Sequence, residues 1–175
     1  MMRIGILPFL PLLTLLATSC GVRGGYVPAP GAERVDPVSL FSVGQVTDAT
    51  GFEFPPGEEP PLVLEEAMAE ALTRALEERG ALGSGRWIVE ATLVEYAPGN
   101  AFQRWLLPVV IGKTRLGIEA RVIDRLHGVE AARIPAERTI RAGGIFTVGA
   151  WRYVFDEVAR EIVSYLLDPH RRGEE

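Results

Sequence analysis

Cysteine, lysine and histidine are nearly missing from this 175-residue chain, which holds one cysteine (Cys20), one lysine (Lys113) and two histidines (His127 and His170). A single cysteine excludes a disulfide scaffold and any cysteine-rich metal site. The two histidines have no ligand spacing such as HExxH, so no metal is expected, and both read as surface residues. Cations are in deficit, with 18 Lys+Arg against 23 Asp+Glu and a formal net charge of -5. A nucleic-acid partner needs a basic face, so that class is excluded. Also lacking is an apolar run of the ~20 residues needed to cross a bilayer. The longest, Ile4–Ala17, has 14 residues and contains Pro8 and Pro11, each of which removes a helical donor. What remains is 47% hydrophobic and 23% charged, enough to bury a core in a chain of one-domain length.

The amino terminus carries an address. Arg3 precedes the apolar run, and Ala17, Thr18 and Ser19 follow it, ahead of Cys20 and Gly21. A basic start, a short apolar middle and small residues before a cut are the proportions of a secretory signal. Residues 17–20 resemble the bacterial lipobox, with Ala17 where that motif has Leu or Val. The resemblance implies that residues 1–19 are removed and that Cys20 receives a diacylglycerol thioether as the lipid anchor. The alternative is cleavage nearby by an ordinary signal peptidase, with Cys20 incidental. A catalytic thiolate is disfavoured, because neither histidine lies near Cys20 in sequence. Losing Arg3 takes the formal charge from -5 to -6, so attachment rests on acyl chains and not on a basic patch. Gly21 in place of aspartate favours the outer over the inner membrane.

Residues 20–37 hold four glycines and three prolines without apolar periodicity and read as a flexible tether. The globular part is expected over 38–168. Residues 38–48 predict a strand, and 51–61, with four prolines, a loop. In Leu62–Arg79 the recurrence of Leu64, Met68, Leu72 and Leu76 predicts a helix with Gly80 just beyond its end. Arg86–Tyr96 alternates, with Trp87, Val89, Ala91 and Leu93 on one face. Lys113–Asp124 does the same with Leu116, Ile118, Ala120 and Val122, so both predict strands buried on one side. His127-Gly128 reads as a turn. Val129–Arg141 reads as a strand that Pro135 pushes to an edge or a bulge. A last helix over Trp151–Leu167 stops at Pro169, leaving 169–175 to fray. The order β-α-β-β-β-α implies an α/β (α+β) two-layer sandwich, a small mostly antiparallel sheet with two helices on one face.

Little in this pattern carries chemistry. Gly112-Lys113-Thr114 fails as a phosphate loop because Leu107 occupies the required first glycine and a strand follows. No cofactor is expected. Glu90, Glu95, Glu119 and Asp124 fall on adjacent strands, where arginines such as Arg115 and Arg121 commonly pair with them. No nucleophile–base–orienter set can be assembled, so the reading is non-enzymatic. The distinctive stretch is Tyr96–Gly117, where the turn signal Pro98-Gly99-Asn100 precedes Trp105–Ile111, apolar without alternation. Such a run belongs in the domain core, in a partner, or in lipid.

Tyr96, Gly99, Asn100, Arg104, Gly112, Arg115, Leu116 and Asp124, with a closing helix like Ala159–Leu166, resemble the pattern of the bacterial lipoproteins grouped as domain of unknown function 4410 (DUF4410). The glycine-rich segment usual after the arginine is here WLLPVVIG. The resemblance covers about 38–167 and implies an envelope location and helices on a sheet, with no known activity. Arg104 pairs with an acidic group of a partner while Asn100 fixes the turn, or Arg104 bridges to a glutamate of its own sheet. Tyr96, Gly99, Asn100, Arg104, Trp105 and Arg115 are therefore the candidate interaction motif. The expected protein is a lipid-anchored envelope module that binds another envelope protein or its own copies. The alternative is an oligomeric secretion or pore subunit like the curli secretion lipoprotein, although Phe102–Ile111 and Gly143–Trp151 are short for membrane hairpins.

Overall fold

The structure, a computed structural model, describes residues 23–53, 63–98, 114–140 and 150–172. Its elements are β1 (Arg23–Gly24), β2 (Val27–Pro28), β3 (Phe41–Asp48), α1 (Leu64–Glu78), β4 (Trp87–Ala97), β5 (Thr114–Asp124), β6 (Val129–Ile140), α2 (Ala150–Leu167) and a short 3-10 turn, Pro169–Arg172. The sheet runs β1-β6-β5-β4-β3, with β2 also on the outer side of β6. Only β3 and β4 pair in parallel; every other pair is antiparallel. The parallel pair is joined through α1, as a parallel crossover requires. The two-layer sandwich and the order β-α-β-β-β-α expected from the sequence are observed.

The helices form where periodicity placed them. Leu64, Met68, Ala71, Leu72, Ala75 and Leu76 of α1 are buried, as are Val154, Phe155, Val158, Ala159, Ile162, Val163 and Leu166 of α2. No side chain caps the start of α1, but Glu65 and Glu66 lie in its first turn, where the helix dipole favours anions. At its end Gly80 takes φ 64°. The Gly80 N–H donates to Glu77 O and that of Ala81 to Leu76 O, a Schellman arrangement that satisfies two carbonyls left over by the helix. Both helices cover the face carrying Trp87, Val89, Ala91, Leu93, Leu116, Ile118, Ala120 and Val122. Arg74–Asp156 (2.7 Å) and Arg160–Glu78 (3.1 Å) bridge the outer seam between them.

Three features differ from the sequence reading. The folded part was expected to start near Val38, yet Arg23–Gly24 and Val27–Pro28, placed in the tether, pair with β6. The tail from 169 was expected to fray, yet Pro169–Arg172 folds and Arg172 is buried. Pro135 was expected to push its strand to an edge or bulge, yet β6 has neighbours on both sides. The first and third share a cause. The Pro135 carbonyl accepts the Gly25 N–H at 3.2 Å, so the backbone edge lacking a donor faces outward, at the break between β1 and β2. A proline costs a ladder only where its N–H is needed; here none is.

Candidate functional site

Strand pairing sorts the molecule into two ends. Ala97 faces Arg115 and Thr114 faces Ile140, so β4 stops, β5 starts and β6 stops together. The β3–α1, β4–β5 and β6–α2 connections leave from this end. At the opposite end the connections are short, Arg79–Arg86 and Arg125–Gly128.

At the first end, Tyr96 owes its position to a bulge. Strict alternation from Trp87 would turn Glu95 inward, but the β4–β5 register slips between Leu93 and Glu95. The extra residue, Val94, goes out to solvent and Tyr96 turns in. Gly117 lies opposite, where an added Cβ would press on Val94 and Glu95 at 3.2 and 3.3 Å. The Tyr96 ring meets Phe52 edge-on at 5.1 Å and Phe155 at 6.0 Å. It thereby ties β4 to α2 and to the stretch after β3. Burial pushes its hydroxyl pKa up to about 12. Buried Thr114 donates its hydroxyl to the Pro98 carbonyl at 2.8 Å, which closes the neck of the connection between β4 and β5. Arg115, exposed beside it, pairs with Glu95 of its own sheet at 3.3 Å. Cys20, Gly99, Asn100, Arg104, Trp105 and Gly112 lie outside the described residues, as does the Trp105–Ile111 run.

The face of the sheet away from the helices carries a charge ladder. Glu90 pairs with Arg121 at 2.8 Å, and Arg133 reaches both Glu119 at 2.6 Å and Glu130 at 3.1 Å. The carboxylates on adjacent strands are thus spread along arginines instead of gathered into an acid–base pair. A shallow hollow of about 360 Å³ opens on this face over Gly117, rimmed by Arg23, Glu95 and Glu137.

Asp124 is the one buried carboxylate among the described residues, and it lies at the opposite end. The Nε of Arg86 and the Leu126 N–H donate to its Oδ1; the Nη2 of Arg86 and the Nδ1 of His127 approach its Oδ2. Those contacts occupy the roughly four acceptor positions a carboxylate has, so nothing remains for a metal or a substrate. The Arg86 hydrogen bonds hold its pKa well below the usual carboxylate range, against the opposing push of burial and with help from His127 and Leu126. Arg86 also grips Glu33 with both arms, at 2.6 and 2.7 Å, and stacks on Trp87. Sequence reasoning recorded Asp124 as the end of a family pattern and as one of four strand carboxylates open to pairing with arginines, but not Arg86 as its partner. The signal for its role was an aspartate closing a strand directly before a tight turn. His127 and His170 are exposed, as expected. No group of three or more metal-ligating side chains occurs among the described residues, and no described helix is long and apolar enough to cross a membrane.

Comparison with solved structures finds the same fold at low identity. The PelC dodecamer of Paraburkholderia phytofirmans matches in two crystal forms, at 12% and 14% identity and TM-scores of 0.56 and 0.55. Each match covers 83% of this chain, and 97% and 96% of PelC respectively. A Xanthomonas campestris protein of the DUF330 family matches at 15% identity over 83% of this chain and 92% of its own, with a TM-score of 0.54. Among curated proteins there is no significant match. The family model described as domain of unknown function (DUF4410) matches residues 62–144, a span from the start of α1 past the end of β6. Those 83 of 175 residues are where this chain is similar to the DUF4410 family.

Proposed function

We propose that this chain is a bacterial envelope lipoprotein, acylated on Cys20 after loss of residues 1–19, whose folded domain is a non-enzymatic binding or assembly module. The observation that carries the reading is the position of the only cysteine, directly after Ile4–Ala17 and the small residues 17–19. The arrangement of charge supports a binding role over catalysis. Asp124 is saturated by Arg86, His127 and Leu126, and the strand carboxylates are matched by arginines. The acyl chains insert in the bilayer and the folded domain faces the periplasm, with Gly21 favouring the outer membrane. Intact mass of the mature protein tests this: a diacylglycerol on Cys20 and a precursor that accumulates under globomycin are expected. An unmodified sulfur overturns the anchor.

A second reading, self-assembly into an oligomeric secretion or pore subunit, draws support from the likeness to PelC, which is a dodecamer. Native mass spectrometry in detergent decides it, since a closed ring of this chain supports the reading and a monomer at micromolar concentration removes it. Tyr96 and Thr114 then fix the ends of β4 and β5 between which the candidate motif Gly99, Asn100, Arg104 and Trp105 falls in sequence, with Arg115 next along β5. A doubly substituted Trp105→Ser, Val110→Ser protein should lose its partners or its self-association while keeping its melting transition. Unchanged association would take the motif out of consideration.

A further inference from the structure

We infer that the bilayer meets one particular end of this domain, the end where β6 stops and β5 starts, and that the domain does not hang on a long leash. The inference rests on the acylation of Cys20 proposed above and adds the orientation. Three chain steps separate Cys20 from Arg23, which is already paired with Glu137. At most ~3.6 Å is gained per residue, so the anchored α-carbon lies within roughly 11 Å of Arg23. Residues 23–28 run antiparallel to β6, from Glu137 down to Ala132. The chain therefore arrives from beyond Glu137, which is three residues from the end of β6 at Ile140.

No slack can be drawn from the rest of the linker, because it is fastened at several further points. The Gly25 and Ala29 N–H groups donate to Pro135 and Ala131. Glu33 is forked by Arg86. Val35 is fully buried, and its carbonyl accepts from Arg172 at 2.6 Å. Gly24 lies against α2 so closely that an added Cβ would sit 3.0 Å from the Tyr165 ring. At the other end, Asp124 stands seven residues along β5 from Gly117, the residue opposite Glu137. At ~3.3 Å per residue that is ~23 Å farther from the anchor. With a formal charge of -6 after loss of Arg3, the domain is not drawn to anionic lipid, so the short connection alone sets which end is near.

The test uses the full-length lipidated protein in phosphatidylethanolamine–phosphatidylglycerol vesicles carrying a nickel-chelating lipid as a surface quencher. Acylation leaves Cys20 without a free thiol, so a fluorophore can be placed on Thr139→Cys, near the inferred contact, or on Leu126→Cys, in the far turn. We expect the label at 139 to be quenched about threefold or more over that at 126, given the ~30 Å between them. Inserting twelve Gly/Ser residues after Gly21 should abolish the difference, since a flexible segment of that length reaches ~20 Å. Equal quenching in a protein that floats with the vesicles overturns the orientation and leaves the lipid anchor standing. Failure to float, with no acyl mass on Cys20, overturns both.

Discussion

Arg172 is the residue whose loss should reveal how the two chain termini hold each other. Its Nε donates to the Tyr165 carbonyl at 2.8 Å and its Nη1 to the Val35 carbonyl at 2.6 Å, while its guanidinium stacks on Tyr26 at 4.8 Å. Hydrogen bonds from a charged group contribute ~1.5–3 kcal/mol each, and an exposed cation–π stack ~0.5–1 kcal/mol. Water replaces part of this and the released tail regains entropy, so Arg172→Ala should cost about 2–4 kcal/mol, felt mainly in the linker and not in the core. Amide hydrogen exchange by NMR reads that distribution. The Gly25 and Ala29 amides, bonded to β6, should exchange ~30- to 1000-fold faster, at tenfold per 1.4 kcal/mol. Amides of β4 such as Val89 should hardly change. Arg172→Lys keeps the charge but not the two-armed geometry, and should recover less than half of the protection. A uniform loss across the domain, or no change at Gly25 and Ala29, would refute the claim that the carboxyl-terminal turn pins the linker.

Acid stability should depend on Asp124. Its depressed pKa means that its contribution is present above the unfolded value of ~3.9 and disappears as pH falls through the folded value. In Asp124→Asn, urea midpoints followed from pH 5 to pH 2 should fall less steeply than in the parent; parallel curves would count against the Arg86 clamp. Tyr96 predicts the alkaline limit. Its hydroxyl is pushed up to about 12, so stability present below ~10 is lost as pH rises toward 12, and Tyr96→Phe should abolish that loss in melts between pH 9 and 11.5. Two glycines of the same composition should behave oppositely. A Cβ on Gly85 would sit 1.9 Å from the Leu40 carbonyl oxygen, whereas one on Gly25 meets nothing within 4 Å. Chemical unfolding should show Gly85→Ala losing ~2–3 kcal/mol and Gly25→Ala staying within ~0.5 kcal/mol of the parent.

Much of the fold was legible because short-range patterns decide it. The Leu64–Leu76 stripe and the alternation of Leu116–Val122 name their buried faces directly, since a helix repeats every 3.6 residues and a strand every two. Alternation failed at Tyr96 for a reason no single strand contains: the slip between Leu93 and Glu95 exists only against β5, where Gly117 makes room for it. Pairing of Glu90, Glu95 and Glu119 with arginines followed from strand adjacency, although the partner of Glu119 is Arg133 of β6 and not a residue of β5. Residues 23–28 and 169–172 misled in the same way. Glycine, proline and polar residues give no periodic signal, and their order comes from long-range partners: β6 for the linker, and Val35 and Tyr165 for Arg172.

By itself, the sequence determined the secondary-structure order, the two apolar helix faces, the one-sided strands and the place of Cys20 after an apolar leader. Each of these is a local pattern that survives without any neighbour. Only the tertiary structure decided that Asp124 is consumed by Arg86, that Tyr96 turns inward, and that the linker is a strand of the sheet. Those depend on which groups meet across distances such as 38 residues of chain for Arg86–Asp124 and 137 for Val35–Arg172, and hydrogen bonding between distant segments leaves no trace in the order of residues along either one.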